Sequence, residues 1–193
     1  MKQTPKKFPI SNHGHSTWTV CHSMWHTQNH KVVTQEMITS KLKPMSTYTQ
    51  VFYQIVFGTK HRLPTIDRKH DRELYKFIYG TIQKRGCHLF RINGIEDHIH
   101  IFSDLHSSIC LADYVKEIKV ASNTFMRDSG LFPLFDGWQV GYGAFTYSIR
   151  EKQKIINYVA KQKEHHKDKE TFYDEYKRLL EESGVVFDEK YLL

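Results

Sequence analysis

Within Asp97-His98-Ile99-His100-Ile101-Phe102, polar and apolar side chains alternate with a period of two from His98 to Ile101. Alternate residues of a strand share a face. The pattern therefore predicts a strand that turns Ile99 and Ile101 into a core and sets His98 and His100 side by side on the other face. Residues 48–58 are β-branched and aromatic and predict an earlier strand, ended by Gly58. Lys60-His61-Arg62 reads as a basic loop. Asp67 reads as the N-cap of a helix with Leu74, Phe77, Ile78, Thr81 and Ile82 at helical spacing and Gly86 at its close. His88 to Ile95 predicts a second strand, with Asn93-Gly94 as the turn of an antiparallel hairpin onto the His98 strand.

Ser108 is the expected cap of the next helix, whose buried stripe is Leu111, Tyr114, Val115, Ile118, Ser122 and Phe125. Trp138 to Tyr147 is aromatic and punctuated by glycine. It predicts a strand that lets another backbone, or a nucleic acid, approach closely. A helix over 151–166 follows, with Ile155, Ile156 and Val159 apolar. Thr171 caps a last helix, with Asp174 at the capping-box position and Phe172, Tyr176, Leu179 and Leu180 as its apolar face; Gly184 stops it.

From residue 45 the order is strand, helix, strand, strand, helix, strand, helix, helix. The first six elements form a β-α-β-β-α-β pattern, so the expected class is α+β: a ferredoxin-like antiparallel sheet with both helices on one face and additional C-terminal helices. The opposite sheet face would be free for a third helix, a partner subunit or a nucleic acid. Residues 1–44 carry neither period and are rich in His, Thr, Ser and Gln. They are expected to be a poorly ordered polar tail, with 45–193 as the domain. A start codon assigned too early, ahead of Met45, would account for such a tail.

Charge sharpens the list of partners. The 193 residues carry 28 Lys and Arg against 21 Asp and Glu, a net +7 that favours a polyanionic partner, nucleic acid first. The 11 Tyr and 12 Phe include candidates for stacking on unpaired bases. Three cysteines at long spacings, with no C-x-x-C, argue against a disulfide framework and suit a reducing cytoplasm. No apolar run is long enough to span a bilayer, and no secretory signal follows Lys2, Lys6 and Lys7.

Two imidazoles on one strand face form half of a metal site, though in a chain with 13 His such a pair also arises by chance. Tyr158 and Gln162 lie four apart on the 151–166 helix and so sit one above the other, with His165 on a similar face. By itself this trio is equally a half-buried tyrosine with solvated neighbours.

Taken together the two stretches resemble a known pattern. His98-Ile99-His100 resembles the His-hydrophobe-His motif of the HUH endonuclease superfamily. Tyr158 and Gln162 resemble the tyrosine-x-x-x-glutamine helix of its single-tyrosine transposases, which move small insertion sequences as single-stranded DNA and include the REP-associated tyrosine transposases. The flanks are similar too: Asn93-Gly94-Ile95-Glu96-Asp97, Trp138 to Phe145, Gln162-Lys163-Glu164-His165-His166, and the tail from Phe172 to Tyr191. The resemblance runs from about Tyr48 to the end and leaves out residues 1–44.

The resemblance implies a DNA transposase that cuts and rejoins single strands through a covalent 5′-phosphotyrosine. Tyr158 would be the nucleophile, and His98, His100 and Gln162 the ligands of Mg²⁺ or Mn²⁺. Ligand chemistry alone would have pointed to zinc or manganese. Asp97, one residue before His98, would face away from the ligands and be structural, orienting a turn or a group behind the ligands. Single-stranded DNA with hairpin ends would be the substrate, contacted by Lys60, Arg62, Lys116, Lys119, Arg127, Lys161 and His165, and the chain would form a homodimer through edge strands. Three other readings compete. His15-Ser16-Thr17 and His106-Ser107-Ser108 match the two-histidine phosphoesterase motif in form, but neither lies on a patterned strand. A non-catalytic ferredoxin-like nucleic-acid-binding module would make the His pair incidental. A domesticated, inactive transposase would be expected to have lost some of the motif residues, all of which are present.

Overall fold

The computed structural model describes residues 48–166 and 170–192. The expected tail over 1–44, and Met45 with it, lie outside the described residues. The remainder is built on a four-stranded antiparallel sheet in the order β2-β3-β1-β4, where β1 is Phe52–Gly58, β2 Leu89–Gly94, β3 His98–Asp104 and β4 Gly143–Thr146. Helix α1 (Asp71–Lys84) joins β1 to β2, and α2 (Leu111–Asp128) joins β3 to β4. This is the expected ferredoxin-like α+β fold. It is followed by α3 (Lys152–Ala160), the short α4 (Gln162–His165) and α5 (Phe172–Glu182).

The two faces of the sheet divide as the alternation predicts. Ile55, Phe57, Ile99 and Ile101 are almost wholly buried on one face, against Leu74, Ile78 and Ile82 of α1 and Tyr114, Val115, Ile118 and Met126 of α2. On the opposite face α3 lays Ile155 and Val159 on Phe52 and Phe102. Beside it, α5 lays Phe172, Leu179 and Leu180 on Val56 and Phe145. The face left open by the first six elements is thus covered by the chain's own C-terminal helices. No described helix is long and apolar enough to cross a membrane.

Several local expectations are corrected. Asn93-Gly94 is not the hairpin turn: both residues pair within the sheet, Asn93 with His100 and Gly94 with Ile99, and the turn is made by 95–97. Gly94 is required by packing, since a Cβ there would lie 2.2 Å from the His98 carbonyl oxygen. Asp67 caps a turn, accepting from the Lys69 amide at 2.8 Å, and α1 begins only at Asp71. Ser108 pairs with His106, and Cys110 takes the N-cap position of α2 without a side-chain bond.

The strand expected over Trp138 to Tyr147 shortens to Gly143–Thr146. The preceding stretch is pulled aside by Lys119, whose ammonium donates to the Gln139 and Gly141 carbonyls at 2.5 and 2.7 Å. The close approach anticipated at these glycines comes from α5: a Cβ on Gly143 would stand 2.7 Å from Cε2 of Tyr176. The Thr171 cap forms as expected, accepting from the Asp174 amide at 3.2 Å. The helix expected over 151–166 is broken at Lys161, where the Ala160 carbonyl accepts from Asn93 Nδ2 at 2.8 Å. That bond ties the end of α3 to β2.

Candidate active site

Strand β3 fixes the two imidazoles. His98 and His100 are both fully buried, on the face opposite Ile99 and Ile101. Asp97 does not face away as expected: its Oδ1 lies 2.6 Å from His98 Nδ1, orienting the ring and leaving Nε2 aimed inward. Phe172 of α5 stacks on the His98 ring, with centroids 4.1 Å apart and planes 9° from parallel. His100 Nδ1 meets Gln54 Nε2 at 3.0 Å, and Gln54 Oε1 accepts from the Tyr147 hydroxyl at 2.8 Å. An amide can serve either imidazole tautomer by turning over.

At the centre stands a residue not anticipated from the sequence. Glu175 of α5 is fully buried, and its Oε2 lies 3.2 Å from His98 Nε2, 3.3 Å from His100 Nε2 and 3.1 Å from His166 Nε2. Its other oxygen, Oε1, accepts from the Tyr158 phenol and, at 2.8 Å, from Gln162 Nε2. Histidine pair, phenol and amide therefore converge on one carboxylate within one chain. The break at Lys161 does not separate Tyr158 from Gln162, because both reach the same oxygen. Arg178, one turn further along α5, donates from Nη2 to the Tyr158 oxygen at 3.1 Å.

Electrostatics follow from this crowding. Burial opposes charge on His98, but the carboxylates of Asp97 and Glu175 beside it outweigh burial and hold the pKa above the ordinary imidazole value. For His100 burial wins over the attraction of Glu175, with the neighbouring His98 and His166 adding to it, and the pKa falls. Burial would raise the Glu175 carboxyl, yet the three imidazoles hold it well below the usual carboxylate range. Burial and the Glu175 charge push the Tyr158 phenol up, with Arg178 pulling the other way. At neutral pH the phenol is protonated and donates to Glu175.

The donors suit a cation. His98, His100 and Glu175 offer ligand atoms within 4.8 Å of one another. Two further observations fit: His98 Nε2 and Gln162 Oε1 are buried without a hydrogen-bond partner. Each is a lone-pair atom that a metal would satisfy.

The basic residues expected on DNA are mostly engaged elsewhere. Lys60 and Arg127 share Asp136, and Lys119 holds the 139–141 stretch. The Arg62 guanidinium lies 5.7 Å from the centre of the Tyr173 ring. Lys116 and Lys161 are exposed. Of the set only His165 meets the site, its ring 5.2 Å from that of Tyr158. Glu175 was legible in one respect: it follows Phe172 by three and precedes Leu179 by four, a charged residue inside an apolar helical stripe.

The sequence model of the family described as "Transposase IS200 like" matches residues 47–162 of this chain. The chain belongs to the IS200-like transposases. As a member it is a DNA-processing enzyme of the transposase type. No curated protein sequence matches the chain. Among solved structures it is similar to a protein from Deinococcus radiodurans R1 assigned as a transposase, at 21% identity and a TM-score of 0.49, over 63% of this chain and 98% of that one. It is also similar to a REP-associated tyrosine transposase bound to a REP hairpin, at 16% identity and a TM-score of 0.48, over 63% of this chain and 74% of that one. The match to the IS200-like family ends at Gln162, so His166, Glu175 and Arg178 reach the site from beyond it.

Proposed function

We propose that this IS200-like transposase cleaves and rejoins single-stranded DNA with hairpin ends, with Tyr158 as nucleophile and a divalent cation, Mg²⁺ or Mn²⁺, held at His98 and His100. The observation that carries the reading is the shared carboxylate. Glu175 faces both imidazoles through one oxygen and takes the Tyr158 phenol on the other. A nucleophile and a candidate cation site are thereby held side by side, and catalysis of phosphoryl transfer is mainly positioning and charge stabilisation.

Glu175 and the Gln162 side-chain oxygen are the further residues that would hold the cation. A bound cation would act as a Lewis acid on the scissile phosphate. Imidazole favours manganese and carboxylate suits either hard ion, so this donor set leans toward Mn²⁺ over Mg²⁺. Asp97 keeps His98 in one tautomer. Gln54 and Tyr147 support His100. Phe172 excludes water from the His98 face.

In the cleavage step the Tyr158 oxygen bonds to phosphorus as the bond from phosphorus to the 3′-oxygen breaks. The phenol loses one proton and the 3′-oxygen gains one. The 5′-phosphotyrosine keeps a phosphodiester's bond energy, so a 3′-hydroxyl can later attack it and rejoin strands without ATP.

The test is a labelled single-stranded hairpin oligonucleotide incubated with the chain and Mn²⁺ or Mg²⁺, then run on a denaturing gel. Wild type is expected to give a protein–DNA adduct that is lost with Tyr158→Phe and with EDTA. A mobility shift on a native gel with no adduct under any metal would leave only a binding module.

A further inference from the structure

The phenol oxygen of Tyr158 has two partners, and only one of them belongs to the cluster around the imidazoles. The other is Arg178. Besides its 3.1 Å bond to Tyr158, the guanidinium donates from Nε to Glu170 at 2.9 Å, from Nη2 to Glu170 at 3.2 Å and from Nη1 to Glu182 at 3.4 Å. Its side chain is 36% exposed, and those of Glu170 and Glu182 are 29% and 61% exposed. Ion pairs this open to water contribute little and are readily exchanged for another anion. The guanidinium also borders a cleft of about 400 Å³, lined by Tyr158, Tyr147, Lys154, Glu151 and Leu179 among others. The cleft thus reaches the phenol and holds a second cation, Lys154, on its wall.

We propose that Arg178 is a catalytic residue of the transposase: its guanidinium leaves Glu170 and Glu182 to take a non-bridging oxygen of the scissile phosphate beside Tyr158, and the adjoining nucleotide lies in the cleft. This rests on Tyr158 being the nucleophile. A phosphorus bonded to the phenol oxygen carries its other oxygens one bond further out, toward a guanidinium already in contact with that phenol. A planar fork of N–H donors suits phosphate in two-point contact, which a lysine at the same place would not reproduce. Glu170 and Glu182 hold the arginine in place while DNA is absent. Like Glu175, Arg178 stands on a helix beyond the family match, so the C-terminal segment would supply one group on each side of the nucleophile.

The alternative is that Arg178 only braces the tyrosine. A double-mutant cycle between the arginine and one phosphate charge separates the two. The cleavage site is first mapped with the wild-type chain. The non-cleaving Tyr158→Phe chain is then titrated with the same hairpin oligonucleotide carrying either the normal phosphodiester or a neutral methylphosphonate at that one linkage. The expected result is at least a tenfold loss of affinity on neutralising the linkage, and a loss several times smaller when Arg178→Ala is also present, the remainder being the share of the bound cation. Equal losses with and without the arginine would overturn the proposal.

In the Tyr158-containing chain, adduct formation should fall by roughly 10²–10³ with Arg178→Ala, the usual cost of removing one donor to a developing oxyanion, and recover only partly with Arg178→Lys. Full recovery with lysine would sink the two-point contact. Native-gel binding and melting temperature show whether each variant is folded. Adduct that persists with Tyr158→Phe would overturn the nucleophile itself; a Tyr158-dependent adduct with additive losses would overturn the role of Arg178 alone.

Discussion

One strand, β3, serves two opposite environments. Toward α1 and α2 it presents Ile99 and Ile101, in a core that is mainly apolar and whose buried hydroxyls, Ser103 with Tyr114 and Ser122 with Trp138, are hydrogen-bonded. Toward α3 and α5 it presents His98 and His100, both 0% exposed, among Gln54, Gln162 and Glu175, equally buried. The depth is the same and the chemistry is opposite. The first face gains stability from burial alone. The second carries a carboxylate and two imidazoles out of water, with a third imidazole and a phenol half-buried beside them, which costs stability unless each is paired. Its unpaired buried atoms are His98 Nε2 and Gln162 Oε1, which a cation would take, and His165 Nε2 beside the Tyr158 ring. Unpaired buried atoms also occur singly at Thr65, Tyr75 and Gln139, so the comparison teaches that neither depth nor one unmet hydrogen bond distinguishes scaffold from site, whereas two unpaired atoms gathered round one carboxylate do.

Breaking the apolar face should have the largest effect on stability. Ile101→Ala is expected to lower unfolding free energy by about 2–5 kcal/mol in urea titrations, while the folded fraction keeps its Mn²⁺ affinity. A loss of Mn²⁺ affinity as large as the loss of stability would mean the two faces are not separate. On the polar face, Glu175→Gln removes a proposed ligand and should weaken Mn²⁺ binding in calorimetry beyond the roughly 10- to 100-fold expected of an outer partner such as Asp97→Asn. If Asp97→Asn proved the more damaging, Glu175 would be a support rather than a ligand.

The contrast can also be sharpened with pH. His98 and His166 have raised pKa values in the folded chain, so the stability they contribute with Glu175 is complete below the ordinary imidazole value of about 6.5 and is lost as pH rises through their folded values. Glu175 is depressed, so its contribution is present above the ordinary carboxylate range and fades only in strong acid. The metal-free melting temperature should therefore fall as pH rises past neutrality, and saturating Mn²⁺ should remove the fall, since a cation replaces the lost protons. A metal-free melting temperature that stays flat from pH 6 to 9 would contradict this assignment of charge. The smallest expected change is Thr171→Ala, which removes the cap of α5 at a cost of about 1 kcal/mol and should show in thermal melts.

The sheet and the first two helices were legible because their apolar positions repeat with the period of the element that carries them. Thr171 was legible for a similarly local reason. The corrections cluster where a distant side chain decides the backbone: Asn93 taking the Ala160 carbonyl, Lys119 drawing in residues 139–141, and Tyr176 lying over Gly143. None of these pairs is near in sequence. The same limit hid Glu175 and Arg178. Alternation along β3 identifies the imidazole pair, but only packing of α5 across the sheet reveals which carboxylate and which guanidinium meet it. His165 and His166 illustrate the point from the other side. They are adjacent in sequence, yet His166 reaches Glu175 while His165 lies against the Tyr158 ring.

The segment after Gln162 gives the protein an unusual fault line. A chain shortened at the edge of the recognisable family region would retain all four strands, both imidazoles, the phenol and the amide. It would lack the aromatic lid over His98, the anion between nucleophile and imidazoles, and the guanidinium beside the phenol. Trimming of that kind, by a frameshift or by a cloning boundary drawn from the family match, would leave the motif intact on paper and dismantle its centre.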